Sequence, residues 1–169
     1  MGSKRTIQTL AEIGIFGALA FLLTFLVPIP YAGGAGYFHF GDTVAILAAM
    51  LFNPLVGLGV AYIGSIFADL ASGYAVFIPF TILAKGLLIL GMAIPFQLLK
   101  NHKVLRLFAP FLGGVLMPFG YLPIYLLTYG DYAWMSFGFD MIQGAVSALL
   151  AILLYLPLRR ALPKAKKEE

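Results

Sequence analysis

Five ionisable side chains interrupt the long apolar segments of this chain, and they are the first candidates for its chemistry. They are Glu12, Asp42, Asp69, Lys85 and Asp140, and one uncharged polar residue, Gln143, lies close to the last of them. Asp140, Gln143 and Gly144 have the i, i+3, i+4 spacing that places side chains on one face of a helix. An ionisable group in an apolar segment costs free energy unless it is paired or hydrated, so such groups mark ion pairs or binding sites.

These residues allow two interpretations. In the first, Lys85 pairs with Asp140 or Asp69, and the pair only holds helices together. In the second, Lys85, Asp140 and Gln143 face a polar pocket that binds a small ligand. At 1.5 Å per residue, Lys85 and Asp140 lie about 13 Å and about 10 Å from the outer ends of their predicted helices. Both therefore fall in the outer half of a bilayer, where a ligand from outside would arrive.

Aromatic residues gather near the same end of the predicted helices. Most of them are typical of an interfacial belt, but Tyr37, His39, Tyr74 and Trp134 flank the loop and helix ends nearest Asp140. Aromatic walls with a few polar groups suit a flat heterocyclic ligand. We expect Asp140 and Gln143 to bind the polar edge of such a ring, with the loop at 28–41 closing over it.

Catalytic and metal-binding patterns are not found in the sequence. The chain has no cysteine, and its two histidines, His39 and His102, are far apart. No glycine-rich stretch leads into Lys-Ser or Lys-Thr, so the phosphate-binding loop of nucleotide hydrolases is missing. We therefore predict no catalytic residue, no metal, no cofactor and no enzymatic activity.

The composition indicates an integral membrane protein. Of the 169 residues, 62% are hydrophobic and 11% charged, whereas a soluble domain carries about 25% charged residues. The sequence predicts an all-α fold in a single transmembrane domain, 1–169, with six helices. The expected spans are 7–27, 42–52, 54–70, 76–99, 107–127 and 133–158. Asp42 is the predicted N-cap of the second helix, which is short for a span.

The basic residues predict the orientation. With six spans both termini share one side of the membrane, and that side receives every basic residue except Lys85. They are Lys4, Arg5, Lys100, Lys103, Arg106, Arg159, Arg160, Lys164, Lys166 and Lys167. Basic loops stay in the cytoplasm, so we predict that both termini are cytoplasmic. The net charge of +4 is explained in this way, and no nucleic-acid partner is expected.

Small residues form a stripe on the first predicted helix. Gly14 and Ala18 are four residues apart, and Gly17 and Ala20 extend the smooth surface. Such a surface lets helices approach closely in lipid. It serves either packing within the bundle or docking to a partner membrane protein.

Two motifs resemble a known family. The stretch from Phe40 to Tyr74 has Gly-Asp, an apolar helix, Phe-x-Pro, a glycine-rich helix and an acidic helix end, and Pro79–Gly86 adds Lys-Gly. With the size and six spans, these motifs resemble the S components of energy-coupling factor (ECF) vitamin transporters. The hydroxymethylpyrimidine/pyridoxine-type subgroup is the most similar.

The resemblance implies a substrate-capture subunit without an ATPase of its own. Such a subunit binds a vitamin from outside and delivers it through a transmembrane coupling protein and two ATP-binding subunits, toppling in the membrane as it does so. The family's docking motif on the first helix, Ala-xxx-Ala, is matched here by Gly14 and Ala18, with glycine in the first position.

Two other functions remain open at this point. A small secondary transporter would use Lys85 and Asp140 as a proton or ion relay and would depend on a gradient rather than on an ATPase. A membrane enzyme or assembly factor would act through the basic cytoplasmic surface, but no catalytic cluster supports it.

Overall fold

Six α-helices form the bundle in the part of the chain that the structure describes. The computed structural model describes residues 2–31 and 36–161. Its helices are α1 (Gly2–Phe25), α2 (Gly41–Leu51), α3 (Pro54–Ala71), α4 (Ile78–Leu98), α5 (Ala109–Tyr129) and α6 (Ala133–Ala161). Short 3₁₀ turns at Ala75–Phe77, Leu105–Phe108 and Gly130–Tyr132 lead into α4, α5 and α6. The predicted all-α fold class is confirmed.

The loop predicted between the first two helices contains a small β-hairpin. Strands β1 (Ile29–Tyr31) and β2 (Gly36–Phe38) pair antiparallel, with Ile29 opposite Phe38. Pro28 and the turn after α1 end the helix, so the chain can reverse there. The glycine run at 33–36 is described only at Gly36, and Lys164, Lys166 and Lys167 lie outside the described residues.

Each predicted span overlaps one of the six helices, but the helices differ in their capacity to cross a bilayer. Four apolar segments of the described chain are long enough: Lys4–Phe25, Pro54–Ala71, Ala75–Leu98 and Leu105–Ala161, the last of which contains both α5 and α6. Helix α2 has only 11 residues, or about 16 Å, roughly half the hydrocarbon thickness. The six-span count therefore stays a prediction.

Helix α2 is the centre of the bundle. Every residue from Gly41 to Met50 is buried, and α2 packs against α1, α3, α4 and α6. A helix that is apolar all round belongs inside a protein or a membrane. The prediction that Asp42 is the N-cap was wrong: α2 begins at Gly41 after Phe40, and no side chain caps it.

Helices α5 and α6 cross with their backbones in contact at Gly114 and Gly144. A Cβ atom placed on Gly144 would overlap the backbone of Gly114. We expect Gly144→Ala to lower the free energy of unfolding by about 1–3 kcal/mol through overpacking. Gly138→Ala on the same helix is the matched control, because its Cβ would meet nothing within 4 Å. Melting curves of the two purified variants test this, and equal melting temperatures would contradict it.

Candidate ligand-binding site

A small polar cavity lies beside the N-terminal end of α2. Its volume is about 70 Å³. Side chains from the hairpin and from every helix except α2 line it: Thr24, Tyr37, His39, Ser65, Asp69, Tyr74, Phe77, Thr81, Lys85, Tyr121, Tyr125, Asp140 and Gln143. Because α2 is short, it leaves room for this cavity at the hairpin end of the bundle.

Lys85 forms a buried ion pair with Asp42 at the base of the cavity. The Lys85 Nζ lies 2.7 Å from Oδ1 and 2.9 Å from Oδ2 of Asp42. Both side chains are 1% exposed. The interpretation that pairs Lys85 with Asp140 or Asp69 is therefore wrong about the partner. The reason is topological: the first turn of the short α2 lies against the middle of α4, so Asp42 reaches the ammonium first.

Gln143 extends the ion pair into a network between elements. Its amide nitrogen donates to Asp42 Oδ2 at 2.9 Å, and its amide oxygen accepts the backbone N–H of His39 at 3.1 Å. The amide therefore links α6, α2 and the end of the hairpin. Because buried polar groups are costly unless they are hydrogen-bonded, this network specifies how the elements meet.

The imidazole of His39 completes the network. It is buried at the junction between β2 and α2, where its Nδ1 accepts the N–H of Gly41 at 3.2 Å and lies 3.3 Å from Thr24 Oγ1. Burial lowers the pKa of His39 to about 4, against the opposing charge of Asp42. The ring is therefore neutral at pH 7 and contributes no charge to the cavity.

Two further carboxylates line the cavity. Thr81 donates to Asp69 Oδ2 at 2.6 Å and accepts from the hydroxyl of Tyr121 at 3.3 Å. The hydroxyl of Tyr125 donates to Asp140 Oδ2 at 2.8 Å. A carboxylate offers about four acceptor sites, so each of the two groups can accept several hydrogen bonds at once. Since Lys85 and Asp42 balance each other, the cavity is rich in acceptors and suits a ligand that carries N–H or O–H groups.

An aromatic wall runs along the outer side of the cavity. The rings of Tyr37 and Tyr74 are 6.2 Å apart, Phe77 lies 5.9 Å from Tyr74, and Tyr121 and Tyr125 stack at 5.7 Å. Burial raises the pKa of Tyr37 to about 12, with Asp69 adding to the effect. Its hydroxyl therefore stays protonated at pH 7 and can donate a hydrogen bond.

The structure brings six of the seven predicted ligand-site residues together. Tyr37, His39, Tyr74, Lys85, Asp140 and Gln143 all line the cavity. Trp134 does not: it is 60% exposed, and its ring lies 6.1 Å from Phe137. The buried Ala133 precedes it, and successive residues of a helix point about 100° apart, so the indole turns away from the bundle.

Several cavity residues were not among the predicted ligand-site residues. Asp69, which lines the cavity, and Asp42, which pairs with Lys85 at its base, stood out in the sequence only as ionisable groups near helix ends. Thr24 and Thr81 gave no signal, because threonine is common in apolar helices. Tyr121 and Tyr125 have the ordinary appearance of a membrane-interface belt. Within the described residues, no group of three or more His, Cys, Asp or Glu side chains could hold a metal ion.

The small-residue stripe of α1 divides between two faces. Gly14 and Ala18 are exposed, and a Cβ on Gly14 would meet nothing within 4 Å. Gly17 and Ala20 are buried against Ile63 and Gly64 of α3. The prediction of one continuous smooth surface was therefore wrong, since the two pairs lie on different sides of the helix. Of these four small residues, Gly14 and Ala18 are the two that lie on a surface that a partner could reach.

Known proteins match this chain along most of its length. The family model "ECF-type riboflavin transporter, S component" matches residues 4–163. A protein of Pyrococcus woesei named "Uncharacterized protein in gap 3'region" is 34% identical over 129 residues, which cover 75% of this chain and 84% of that protein. A solved structure described as "Structure and mechanism of the S component of a bacterial ECF transporter" has a TM-score of 0.75 and 25% sequence identity. That match covers 94% of this chain and 99% of the other.

Proposed function

Because this chain belongs to the family of S components of ECF-type riboflavin transporters, we propose that it captures riboflavin from outside the cell. The chain is a multi-pass membrane protein and the substrate-binding subunit of a transporter, not an enzyme. S components associate with an ECF module of one transmembrane coupling protein and two ATPases.

The acceptor-rich, aromatic cavity is the observation that supports a flavin. The isoalloxazine ring is flat and has an N–H on its polar edge, and the ribityl chain carries several hydroxyl donors. In our proposal Asp140 and Asp69 accept hydrogen bonds from these donors, while Tyr37 and Tyr74 pack against the ring. Lys85 and Gln143 hold the base of the site through Asp42. This differs from the sequence-based expectation, in which Gln143 binds the ligand directly.

The size of the cavity favours a second candidate. Its 70 Å³ is well below the roughly 300–1,000 Å³ of typical ligand pockets. A flavin therefore requires the aromatic wall to move outward, whereas a single ring requires a smaller movement. The second candidate is accordingly a hydroxymethylpyrimidine- or pyridoxine-like vitamin, as the sequence motifs suggested.

A binding experiment distinguishes the two candidates. Small molecules released from the purified protein are identified by mass spectrometry, and riboflavin, pyridoxine and hydroxymethylpyrimidine are then titrated by calorimetry. We expect riboflavin to be released and to bind at least about tenfold more tightly than either single-ring vitamin, a difference of about 1.4 kcal/mol. The reverse order would favour the second candidate, and no binding of any of them would reject both.

The competing interpretation as an ion-coupled transporter has a different physical requirement. It needs Lys85 and Asp140 to act as a relay, but the ammonium of Lys85 is paired with Asp42. We expect cells that contain the chain and the ECF module to stop taking up riboflavin when the ATPases are inactivated. Uptake that depends only on the proton gradient would support the relay instead.

The orientation of the chain is tested by labelling. We propose that the protein lies in the cell membrane with both termini in the cytoplasm, and that the membrane is bacterial. The chain has no cysteine, so Ser72→Cys and Lys103→Cys each introduce one reactive thiol at an exposed position. An impermeant maleimide applied to intact cells should label Ser72→Cys and leave Lys103→Cys unlabelled. Labelling of both, or of Lys103→Cys alone, would contradict this orientation.

Gly14 and Ala18 are the proposed contact with the coupling protein. A leucine at either position would hold a partner helix away from α1. We expect Gly14→Leu and Ala18→Leu each to reduce riboflavin uptake at least about fivefold. This corresponds to a loss of about 1 kcal/mol in the free energy of association with the coupling protein. The affinity of the protein for riboflavin should stay unchanged. Ile15→Leu, on the same helix and 69% exposed, is the control and should transport normally. Loss of ligand affinity together with uptake would argue against docking.

A further inference from the structure

A basic groove lies at the end of the bundle opposite the ligand cavity. Its volume is about 790 Å³. Five cationic side chains line it, three from the connection between α4 and α5 and two from the end of α6: Lys100, Lys103, Arg106, Arg159 and Arg160. The positive-inside rule accounts for cations on this side of the membrane, but it does not require them to converge on one cavity.

The cations of the groove have no acidic partner in the part of the chain that the structure describes. The ion pair between Lys85 and Asp42 lies at the base of the ligand cavity, and none of the five side chains comes within 4.0 Å of a described carboxylate. Five positive charges held together repel each other, and the repulsion is relieved when an anion binds.

An aromatic ring holds Arg106 in place at the groove. Its guanidinium carbon lies 3.8 Å from the centre of the Phe96 ring, which holds the plane of the group in place. Its Nε is buried and has no hydrogen-bond partner among the described residues. A guanidinium fixed by stacking holds its terminal N–H groups in one plane, and two such groups can bind one phosphate.

The groove also has an apolar side, which identifies the source of the anion. Leu107 and Leu156 line it next to the cations. A free phosphate would contact only the charged rim, whereas a phospholipid would place its phosphate among the cations and its acyl chains against the leucines. We propose that this groove binds the headgroup of an anionic phospholipid from the cytoplasmic leaflet.

Lipid binding is tested with two matched double variants. Lys103→Gln/Arg159→Gln removes one lysine and one arginine from the groove, and Lys4→Gln/Arg5→Gln removes the same two residue types from the exposed start of α1. Each protein is purified, and its binding of phosphatidylglycerol and phosphatidylcholine is measured by native mass spectrometry. We expect the wild-type protein to prefer phosphatidylglycerol. The groove variant should lose that affinity at least about tenfold and the control no more than about twofold.

Three results would overturn the proposal. Equal losses of phosphatidylglycerol affinity in the two variants would mean that lipid binding depends only on the total charge of the protein. Displacement of the lipid by inorganic phosphate at equal concentration would indicate a site for free anions. The third result has two parts: the wild type shows no lipid preference, and the groove variant no longer binds the ECF module in discs of pure phosphatidylcholine. Together they would mean that the groove is a protein-docking surface. Melting temperatures within a few degrees of the wild type show that the variants are folded.

Discussion

Asp42→Asn is expected to destabilise the protein strongly. The change leaves the ammonium of Lys85 buried beside a neutral amide, and removing one partner of a buried ion pair costs about 3–5 kcal/mol. For a chain of this size that corresponds to a fall of about 6–20 °C in melting temperature. The measurement is thermal unfolding of the purified protein in detergent.

A double variant separates the pair from its surroundings. Lys85→Met/Asp42→Leu removes both charges and keeps similar volumes, so it should regain most of the lost stability. Glu12→Gln is the control: Glu12 lies on α1 and accepts a hydrogen bond from Gln8 at 2.8 Å in an exposed position. It should melt within a few degrees of the wild type. If the double variant is as unstable as Asp42→Asn, the lost stability comes mainly from the hydrogen bond between Gln143 and the Asp42 carboxylate and not from the ion pair with Lys85.

Asp140→Asn is expected to have the largest effect on ligand affinity. It replaces a charged acceptor by an amide of the same shape, and the loss of a charge-assisted hydrogen bond costs about 1.5–3 kcal/mol. The dissociation constant for riboflavin should therefore rise roughly 10- to 100-fold. Titration calorimetry provides the measurement. Because Asp140 is not a partner in the buried ion pair, the melting temperature should fall much less than in Asp42→Asn.

Two further variants show whether the effect is specific. Asp69→Asn, on α3, should also weaken binding, because Asp69 is the other carboxylate in the proposed pose. Trp134→Phe should leave the affinity unchanged, since the indole points away from the cavity. Unchanged affinity in both aspartate variants would remove this cavity as the binding site. A strong effect of Trp134→Phe would mean that α6 turns its indole toward the ligand in the bound conformation.

The membrane class and the helical segments follow from the sequence alone. Apolar segments of span length, separated by Pro and Gly, give a strong signal because the bilayer requires about 20 apolar residues per crossing. The height of the polar residues along their helices also follows, since depth along a helix is a count of residues. Lys85, Asp140 and Gln143 could therefore be assigned to one end of the molecule from their positions in the chain.

Which side chains pair with one another could be decided only from the tertiary structure. A position along a helix fixes the height of a side chain but not which neighbouring helix it faces, and three aspartates were available near the height of Lys85. The shortness of α2 selected Asp42, because it places the first turn of that helix in the middle of the bundle. Helix rotation decided the rest: it turned Trp134 outward and separated Gly17 and Ala20 from Gly14 and Ala18. These outcomes depend on packing between segments distant in sequence, which local patterns do not encode.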